Sequence, residues 1–234
     1  QTVDDYYAQC FKQLIQLQDI DGTAHFPEYS YDKLISEMEL LTDWLLPTLQ
    51  IQPSAEESAL IKRTFAILAN AAVAQPQVIV HRDFHSRNLM KVGDDTELGV
   101  IDFQDAVYGP ITYDAVSLLR DAYIEWPEDV QIDWLARYWE MARAAGLVVP
   151  DTFDVFYRDF EFMGLQRHLK VLGIFARLYH RDGKSGYLKD LPLVLKYTRQ
   201  VAARYREFAP LLRLLDDVAQ KAGTDDTTQV GYTF

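Results

Sequence analysis

An acid, an amide and a second acid occur at spacings that suit a reaction on phosphate groups: Asp83, Asn88 and Asp102. Moving a phosphoryl group from a nucleotide requires Mg²⁺ on the phosphate oxygens, and this hard cation prefers oxygen ligands such as those of Asn88 and Asp102. A further carboxylate must orient the attacking hydroxyl, and Asp83 would have that role. These residues predict phosphoryl transfer that uses ATP and Mg²⁺.

The residues around these side chains predict short β-hairpins. A β-branched run at residues 78–80 precedes the first acid, and the run Leu98-Gly99-Val100-Ile101 leads into Asp102. Gly93-Asp94-Asp95 supplies a turn signal between Asn88 and the second run. We therefore expect a hairpin that presents Asn88 and Asp102 side by side.

The segment His81-Arg82-Asp83-Phe84-His85-Ser86-Arg87-Asn88 resembles the kinase catalytic loop H-R-D-x-x-x-x-N, and Asp102 stands where D-F-G has its acid, with Gln104 in place of the glycine. The alternative is that His81 and Asp83 cap a loop, Asn88 starts a turn and Asp102 is an ordinary strand-end acid. This alternative requires several residues of two motifs to coincide in order and in context. The functional interpretation is therefore favoured.

The same two motifs resemble those of the aminoglycoside phosphotransferase and choline kinase superfamily, H-G-D-x-x-x-x-N and I-D-F/W-x-D. Arg82 stands where many members have glycine, and His85 is common in small-molecule kinases where protein kinases usually have lysine. The resemblance implies a protein-kinase-like C-terminal lobe. This lobe would be α+β and mostly α-helical, with short catalytic β-hairpins, and its acceptor would be a small molecule.

The resemblance also implies a role for each residue of the motifs. Asp83 orients the acceptor hydroxyl and takes its proton, His81 supports the loop, and His85 approaches the γ-phosphate. Asn88 and Asp102 hold the metal and, through it, the nucleotide.

Two further acids follow the second motif. The resemblance implies that Asp105 contacts metal or substrate. It also implies that Asp114, at the start of the next helix, bonds backbone amides of the catalytic loop. Simple N-capping of that helix by Asp114 is physically close to this role.

A narrower resemblance is carried by residues 100–110, 162–177 and 180–184, which are similar to bacterial anomeric kinases acting on N-acetylmuramate and N-acetylglucosamine in cell-wall sugar recycling. Its specific part is Gln166-Arg167-His168-Leu169-Lys170. The resemblance implies that Arg167, His168 or Lys170 meets the lactyl carboxylate of a muramic sugar or a transferring phosphate. The alternative is a solvated helix face, or cations near a helix C-terminus, which Arg177, His180 and Arg181 fit well.

Composition predicts one domain. The 234 residues are 49% hydrophobic and 13% aromatic, enough for a substantial core over residues 1–222, while residues 223–234 are polar enough to form a loose tail. The formal net charge of −12 argues against a nucleic-acid partner. No apolar run is long enough for a membrane partner and no secretory leader is visible, which favours a cytoplasmic protein. Cys10, the single cysteine, lies on an apolar helix face and is predicted to be core.

Helical periodicity and capping signals dominate outside the hairpins, with Ser54 and Glu57 as a capping box. The predicted helices run from Val3 to about Leu17, Tyr31 to about Leu46, about Ala55 to Ala74, Tyr113 to about Ile124, about Val130 to Ala145 with Gly146 as the stop, Thr152 to about Tyr179, and Pro192 to about Lys221 with a break near Pro210.

No Gly-rich phosphate loop, Walker A pattern or Val-Ala-Ile-Lys strand precedes the catalytic loop. We expect a C-terminal fragment whose N-terminal nucleotide lobe is missing, and poor turnover by the isolated chain. An aminoglycoside or choline-type kinase would share the catalytic residues, and a kinase-derived binding module would need none of them. The intact Asp83, Asn88 and Asp102 argue against the binding module.

Overall fold

A computed structural model describes residues 2–22, 25–92 and 97–224. The chain divides into two compact units, each built from two stretches of sequence. Unit 1 is Gln1–Ser30 and Ala71–Met163, and unit 2 is Tyr31–Asn70 and Gly164–Phe234. Most described residues are helical, which confirms the predicted balance of helix and strand.

Unit 1 begins with helix α1 (Val3–Gln18). Thr2 caps α1 in a reciprocal arrangement, because its Oγ1 accepts the N–H of Asp5 at 3.3 Å while an Asp5 carboxylate oxygen accepts the N–H of Thr2 at 2.8 Å. Cys10 lies on the inner face of α1 and is 5% exposed, which confirms it as a core residue.

Two antiparallel strand pairs follow in the same unit. Strand β1 (Gln77–Val80) pairs with β4 (Val107–Pro110), and β2 (Leu89–Val92) pairs with β3 (Glu97–Val100). The second pair confirms the predicted hairpin and places Leu89 opposite Val100. The turn signal at residues 93–95 lies outside the described residues.

Helices α5 (Tyr113–Leu119) and α6 (Glu128–Ala144) continue unit 1. The prediction that α5 extends to Ile124 was wrong, because Arg120 leaves helical geometry at φ −117°, ψ 52°. The Arg120 guanidinium instead bonds a Glu161 carboxylate oxygen at 3.1 Å. The predicted stop of α6 is confirmed, since Gly146 has φ +86°, a value that glycine adopts without strain.

Unit 2 contains helices α2 (Tyr31–Leu40), α3 (Leu46–Thr48), α8 (Leu191–Arg204) and α9 (Ala209–Lys221). Helices α4 (Ala55–Val73) and α7 (Phe153–Asp182) pass from one unit to the other. The Ser54–Glu57 capping box at the start of α4 is confirmed by reciprocal bonds of 2.7 and 3.2 Å. The predicted break near Pro210 is also confirmed, since Pro210 lies in the first turn of α9.

The predicted helical stretch from Tyr31 to about Leu46 is confirmed, but it is not α-helical throughout. A π-helical turn, Leu41–Leu45, separates α2 from α3. Gly173 of α7 lies against the end of α2 so closely that a Cβ there would be 2.3 Å from the Leu40 carbonyl carbon. The absence of a side chain at Gly173 therefore permits this helix contact.

Gly223 and Thr224 close α9 with backbone bonds to Gln220 and Ala219, and the rest of the predicted loose tail lies outside the described residues.

Among the helices that the structure describes, none combines the length and the apolar character that a bilayer crossing requires.

Candidate active site

The catalytic loop, residues 81–88, leaves the buried end of β1 and is held at its start by Asp114. The backbone N–H groups of His81 and Arg82 donate to the two carboxylate oxygens of Asp114, at 2.7 and 3.0 Å. Asp114 is fully buried in the first turn of α5. The geometry therefore agrees with the expectation that this acid bonds backbone amides of the catalytic loop.

Arg82 has φ +77°, in the left-handed region that glycine adopts most easily. This backbone conformation gives a physical reason for the glycine that many superfamily members carry at the same point. In this chain the Arg82 guanidinium lies over the Tyr29 ring, 5.4 Å from its centroid. The cation–π contact offsets part of the conformational cost.

Asn88 closes the second half of the catalytic loop. Residues Ser86–Asn88 form one 3₁₀ turn, in which the Asn88 N–H donates to the His85 carbonyl at 2.9 Å. The Asn88 side-chain Nδ2 donates to the Asp83 backbone carbonyl at 3.0 Å. Asn88 therefore fixes the backbone of the residue proposed to act on the acceptor.

Asp102 follows β3 and lies beside Asn88, as predicted. The distance from Asn88 Nδ2 to Asp102 Oδ2 is 3.5 Å, and the Ile101 N–H donates to the Asn88 carbonyl at 3.1 Å. Asp102 has φ +71°, a strained conformation for a non-glycine residue. Gln104, which stands in place of the D-F-G glycine, donates its Nε2 to Asp102 Oδ1.

The donor set of Asn88 and Asp102 fits Mg²⁺. The Asn88 Nδ2 is occupied by the Asp83 carbonyl, which leaves the amide oxygen and the Asp102 carboxylate as hard oxygen donors. Within the described part of the chain no group of three or more His, Cys, Asp or Glu side chains could hold a metal. A site with few protein ligands suits Mg²⁺, which usually keeps waters and phosphate oxygens in its coordination shell.

The other candidate site residues of the two motifs differ in how far they are exposed to solvent. Asp83 and His85 are partly exposed, whereas His81 is 2% exposed. Burial lowers the pKa of His81, and the nearby Asp83 and Asp102 carboxylates offset this only in part. Neutral His81 is therefore the favoured form at pH 7. Asp105 is exposed between β3 and β4.

Two residues that the sequence did not indicate also contact the loop. Asp121 accepts hydrogen bonds from Ser86, and the Tyr123 ring packs on Arg87, whose guanidinium carbon lies 3.3 Å from the ring centroid. Both lie just beyond α5, where the sequence predicted more helix. Their separation from the loop by about 35 positions leaves no local pattern that would have shown the contact.

The candidate acceptor residues Arg167, His168 and Lys170 belong to α7 in unit 2, where they are 4%, 0% and 8% exposed. The alternative of a solvated helix face is therefore wrong for these three. Lys170 Nζ lies 3.3 Å from Glu37 Oε2, and the His168 ring stacks on Tyr197 with centroids 5.3 Å apart. The sequence did not indicate Glu37 as the partner of Lys170.

Arg181, at the C-terminal end of α7, behaves differently. It is exposed, and its Nε lies 2.7 Å from an Asp182 carboxylate oxygen. The interpretation as a cation near a helix C-terminus therefore holds for this residue.

A family model described as "Phosphotransferase enzyme family" (APH) matches residues 1–147, which include both motifs and Asp114. The chain belongs to the phosphotransferase enzyme family. Among proteins similar to this family member is an N-acetylmuramate/N-acetylglucosamine kinase of Neisseria meningitidis serogroup B, 48% identical over 223 residues, which cover 95% of the chain and 65% of the relative. Another, from Pseudomonas aeruginosa and with the same name, is 42% identical over 94% of the chain and 65% of the relative.

Solved structures show the fold that this phosphotransferase family member shares. The ADP-bound aminoglycoside phosphotransferase APH(2'')-Ib is 19% identical, with a TM-score of 0.50 over 86% of the chain and 66% of that protein. The gentamicin complex of APH(2'')-IIa is 18% identical, with a TM-score of 0.52 over 84% of the chain and 64% of that protein. The chain spans about 65% of the length of these two curated relatives.

Proposed function

We propose that this chain is the catalytic C-terminal lobe of an ATP-dependent kinase that moves the γ-phosphoryl group to a hydroxyl of a small molecule. The observation that carries the proposal is the arrangement of Asn88, whose side chain bonds the Asp83 backbone on one side and lies 3.5 Å from Asp102 on the other. This arrangement supports an acceptor-orienting acid in the catalytic loop next to an oxygen donor set for Mg²⁺.

The acceptor we propose is the anomeric hydroxyl of N-acetylmuramate or N-acetylglucosamine, in cell-wall sugar recycling. The names of the relatives at 41–48% identity support this choice. Arg167 and Lys170 of α7 stay predicted contacts of the lactyl carboxylate or of a transferring phosphate. His168 and the exposed Asp105 stay predicted acceptor contacts.

The proposed mechanism depends on position and charge, because the transition state of phosphoryl transfer is loose. Asp83 orients the acceptor hydroxyl and accepts its proton late in the reaction. Asn88 and Asp102 would hold Mg²⁺, which neutralises phosphate charge when bound. His85 approaches the γ-phosphate, and buried His81 supports the backbone that carries Asp83.

We propose further that the nucleotide lobe lies in the part of the relatives that this chain does not span. The chain covers 65% of the meningococcal relative, and no phosphate-binding glycine loop precedes residue 81. The isolated chain would then bind nucleotide weakly and turn over poorly. A nucleotide lobe that failed to improve nucleotide binding when joined to the chain would contradict this proposal.

The decisive experiment measures ATP- and Mg²⁺-dependent phosphorylation by the chain joined to a nucleotide lobe. The acceptors are N-acetylmuramate, N-acetylglucosamine, choline and an aminoglycoside. We expect transfer to an amino sugar, and a loss of about 10²- to 10⁴-fold in turnover for Asp83→Asn with little change in nucleotide affinity. The matched control, Asp129→Asn, changes an exposed acid in the first turn of α6 and is expected to keep wild-type turnover.

The outcomes of this phosphorylation experiment distinguish the acceptor, the role of Asp83 and the binding-module alternative. Transfer only to choline or an aminoglycoside would retain the mechanism and reject the amino sugar. Near-wild-type turnover by Asp83→Asn would reject the role of that acid. Nucleotide binding without transfer to any acceptor would favour a kinase-derived binding module.

A further inference from the structure

Asp121 is a buried acid outside the catalytic motifs, yet both of its carboxylate oxygens bond backbone groups. It is 1% exposed and lies immediately after Arg120, where α5 ends. Its Oδ2 accepts the Ser86 N–H at 3.0 Å and the Ser86 hydroxyl at 2.6 Å. Its Oδ1 accepts the Tyr123 N–H at 3.0 Å. The carboxylate therefore joins the segment after α5 to the middle of the catalytic loop.

The bonds from Asp121 reach Ser86 at the start of a helical turn in the catalytic loop. Ser86 is the first residue of the 3₁₀ turn Ser86–Asn88, and the residue before it, His85, makes no side-chain cap. The first N–H groups of a helical turn have no partner within the turn. Asp121 supplies that partner from 35 positions away in the sequence, so it has the function of an N-cap delivered by tertiary structure.

The last residue of the same turn is Asn88. Its N–H donates to the His85 carbonyl, and its side chain donates to the Asp83 carbonyl. A shift of the turn at Ser86 would therefore move the Asn88 amide relative to Asp83 and Asp102. Among the described residues, the hydrogen bonds of Asp121 go to Ser86 and Tyr123 and to none of these three side chains, so its effect on them passes through the turn.

The Tyr123 ring reinforces the same part of the loop. The Arg87 guanidinium carbon is 3.3 Å from the Tyr123 ring centroid, and the His85 ring meets Tyr123 edge to face at 5.4 Å. The residues on both sides of Ser86 thus contact the ring of Tyr123, and the backbone N–H of Tyr123 donates to Asp121. The segment Asp121–Tyr123 forms one contact surface for residues 85–87.

We propose that Asp121 is a positioning residue of the phosphotransferase reaction, which fixes Asn88 for metal binding by capping the 3₁₀ turn through Ser86. The proposal rests on the proposed function, because it concerns the same site. Asp114 holds the start of the catalytic loop and Asp121 holds its second half. A buried carboxylate with charge-assisted hydrogen bonds is suited to this task because such bonds are short and strong.

The test uses the chain joined to a nucleotide lobe, with the variants Asp121→Asn, Ser86→Ala, the double variant and the control Asp129→Asn. For each, turnover, acceptor KM, the Mg²⁺ concentration at half-maximal rate and the melting temperature are measured. We expect Asp121→Asn to lower turnover about 10- to 100-fold and to raise the Mg²⁺ requirement, with acceptor KM unchanged. Ser86→Ala should lower turnover and raise the Mg²⁺ requirement by smaller factors. It removes the hydroxyl bond to Asp121, but the bond from the Ser86 backbone N–H remains.

The double variant should be no worse than Asp121→Asn alone, because both changes act on one interaction. Unchanged turnover and Mg²⁺ requirement in Asp121→Asn would overturn the proposal. So would a turnover that falls only in step with the melting temperature. If Asp121→Asn does not fold, the turnover and Mg²⁺ requirement of Ser86→Ala test the proposal instead. This variant removes the bond between the Ser86 hydroxyl and the Asp121 carboxylate.

Absence of transfer by the unmodified joined chain would reject the proposed function and not this inference. Amide hydrogen exchange in the 234-residue chain then tests the capping role of Asp121. Faster exchange of the Ser86, Arg87 and Asn88 amides in Asp121→Asn, with β1 unchanged, supports the capping role. Equal exchange in variant and wild type overturns it.

Discussion

The carboxylate of Asp114 accepts the backbone N–H of Arg82 at 3.0 Å, and Arg82 is held at φ +77°. The left-handed conformation costs a non-glycine residue roughly 1–2 kcal/mol. The fully buried Asp114 also bonds the His81 N–H, so its two oxygens together fix the conformation in which the catalytic loop leaves β1. The strain at Arg82 and the bonds to Asp114 are therefore parts of one local arrangement.

Substitutions at Arg82 separate backbone strain from side-chain contact. Arg82→Gly and Arg82→Ala both remove the guanidinium from the Tyr29 ring, but only glycine relieves the strain. We expect Arg82→Gly to be more stable than Arg82→Ala by about 1 kcal/mol, measured by urea unfolding. Equal stability, or the reverse order, would show that φ +77° carries no cost here.

Removal of the Asp114 carboxylate should be among the most damaging changes in unit 1. Asp114→Ala leaves the buried N–H groups of His81 and Arg82 without their acceptor, and each bond to a charged group contributes roughly 1.5–3 kcal/mol. We expect a loss of about 3 kcal/mol or more in the free energy of unfolding. Asp154→Ala, an exposed acid in the first turn of α7, is the control. A loss no larger than that of the control would contradict the role of Asp114.

The buried pair of Lys170 and Glu37 in unit 2 permits a double-mutant test. Their side chains are 10% and 7% exposed, with Nζ and Oε2 3.3 Å apart. Removing one partner of a buried pair costs roughly 3–5 kcal/mol, whereas replacing both by apolar residues is often close to neutral. Glu37→Leu should therefore be less stable than Glu37→Leu with Lys170→Met. Additive losses in urea unfolding would show that the pair is not coupled.

Gly173 should tolerate no side chain. A Cβ at this position would lie 2.3 Å from the Leu40 carbonyl carbon, so backbone of α2 or α7 would have to move. We expect Gly173→Ala to lower the free energy of unfolding by about 1–3 kcal/mol, the usual cost of overpacking. Gly186→Ala is the matched control, because a Cβ there meets no atom within 4 Å. Similar melting temperatures for both variants would contradict the close helix contact.

The Cys10 thiol should react only when the protein unfolds. Burial raises its pKa to about 12, so at pH 8 the thiolate fraction is about 10⁻⁴, against roughly a quarter for an unfolded cysteine of pKa about 8.5. We expect a thiol reagent to modify Cys10 about a thousandfold more slowly in buffer than in denaturing urea. Comparable rates in the two solutions would show that α1 does not protect the thiol.

Local sequence patterns predicted much of the catalytic region. The β-branched run at residues 78–80 and the run Leu98-Gly99-Val100-Ile101 are strand signals that depend only on near neighbours. The oxygen donors Asn88 and Asp102 follow directly from the motifs beside these runs. The Ser54–Glu57 box and Gly146 are equally local, because each satisfies backbone groups within a few positions. Such features can be read before the fold is known.

Other parts depend on contacts between distant residues, and the sequence did not show them. Asp121 bonds Ser86 from 35 positions away, and Lys170 pairs with Glu37 in another helix. The π turn at Leu41–Leu45 has the apolar spacing of an ordinary helix, so periodicity could not distinguish it. The early end of α5 follows from the interactions of Arg120 and Asp121, not from a helix-breaking residue.

The short helix α5 also limits insertions and deletions in this chain. Asp114 lies in its first turn and Asp121 just beyond its end, and each contacts a different half of the catalytic loop. One residue added between them would rotate Asp121 by about 100° around the helix axis and move it by about 1.5 Å. Every side chain of α5 is buried, so both the packing of this helix and the number of residues between these two acids must be kept.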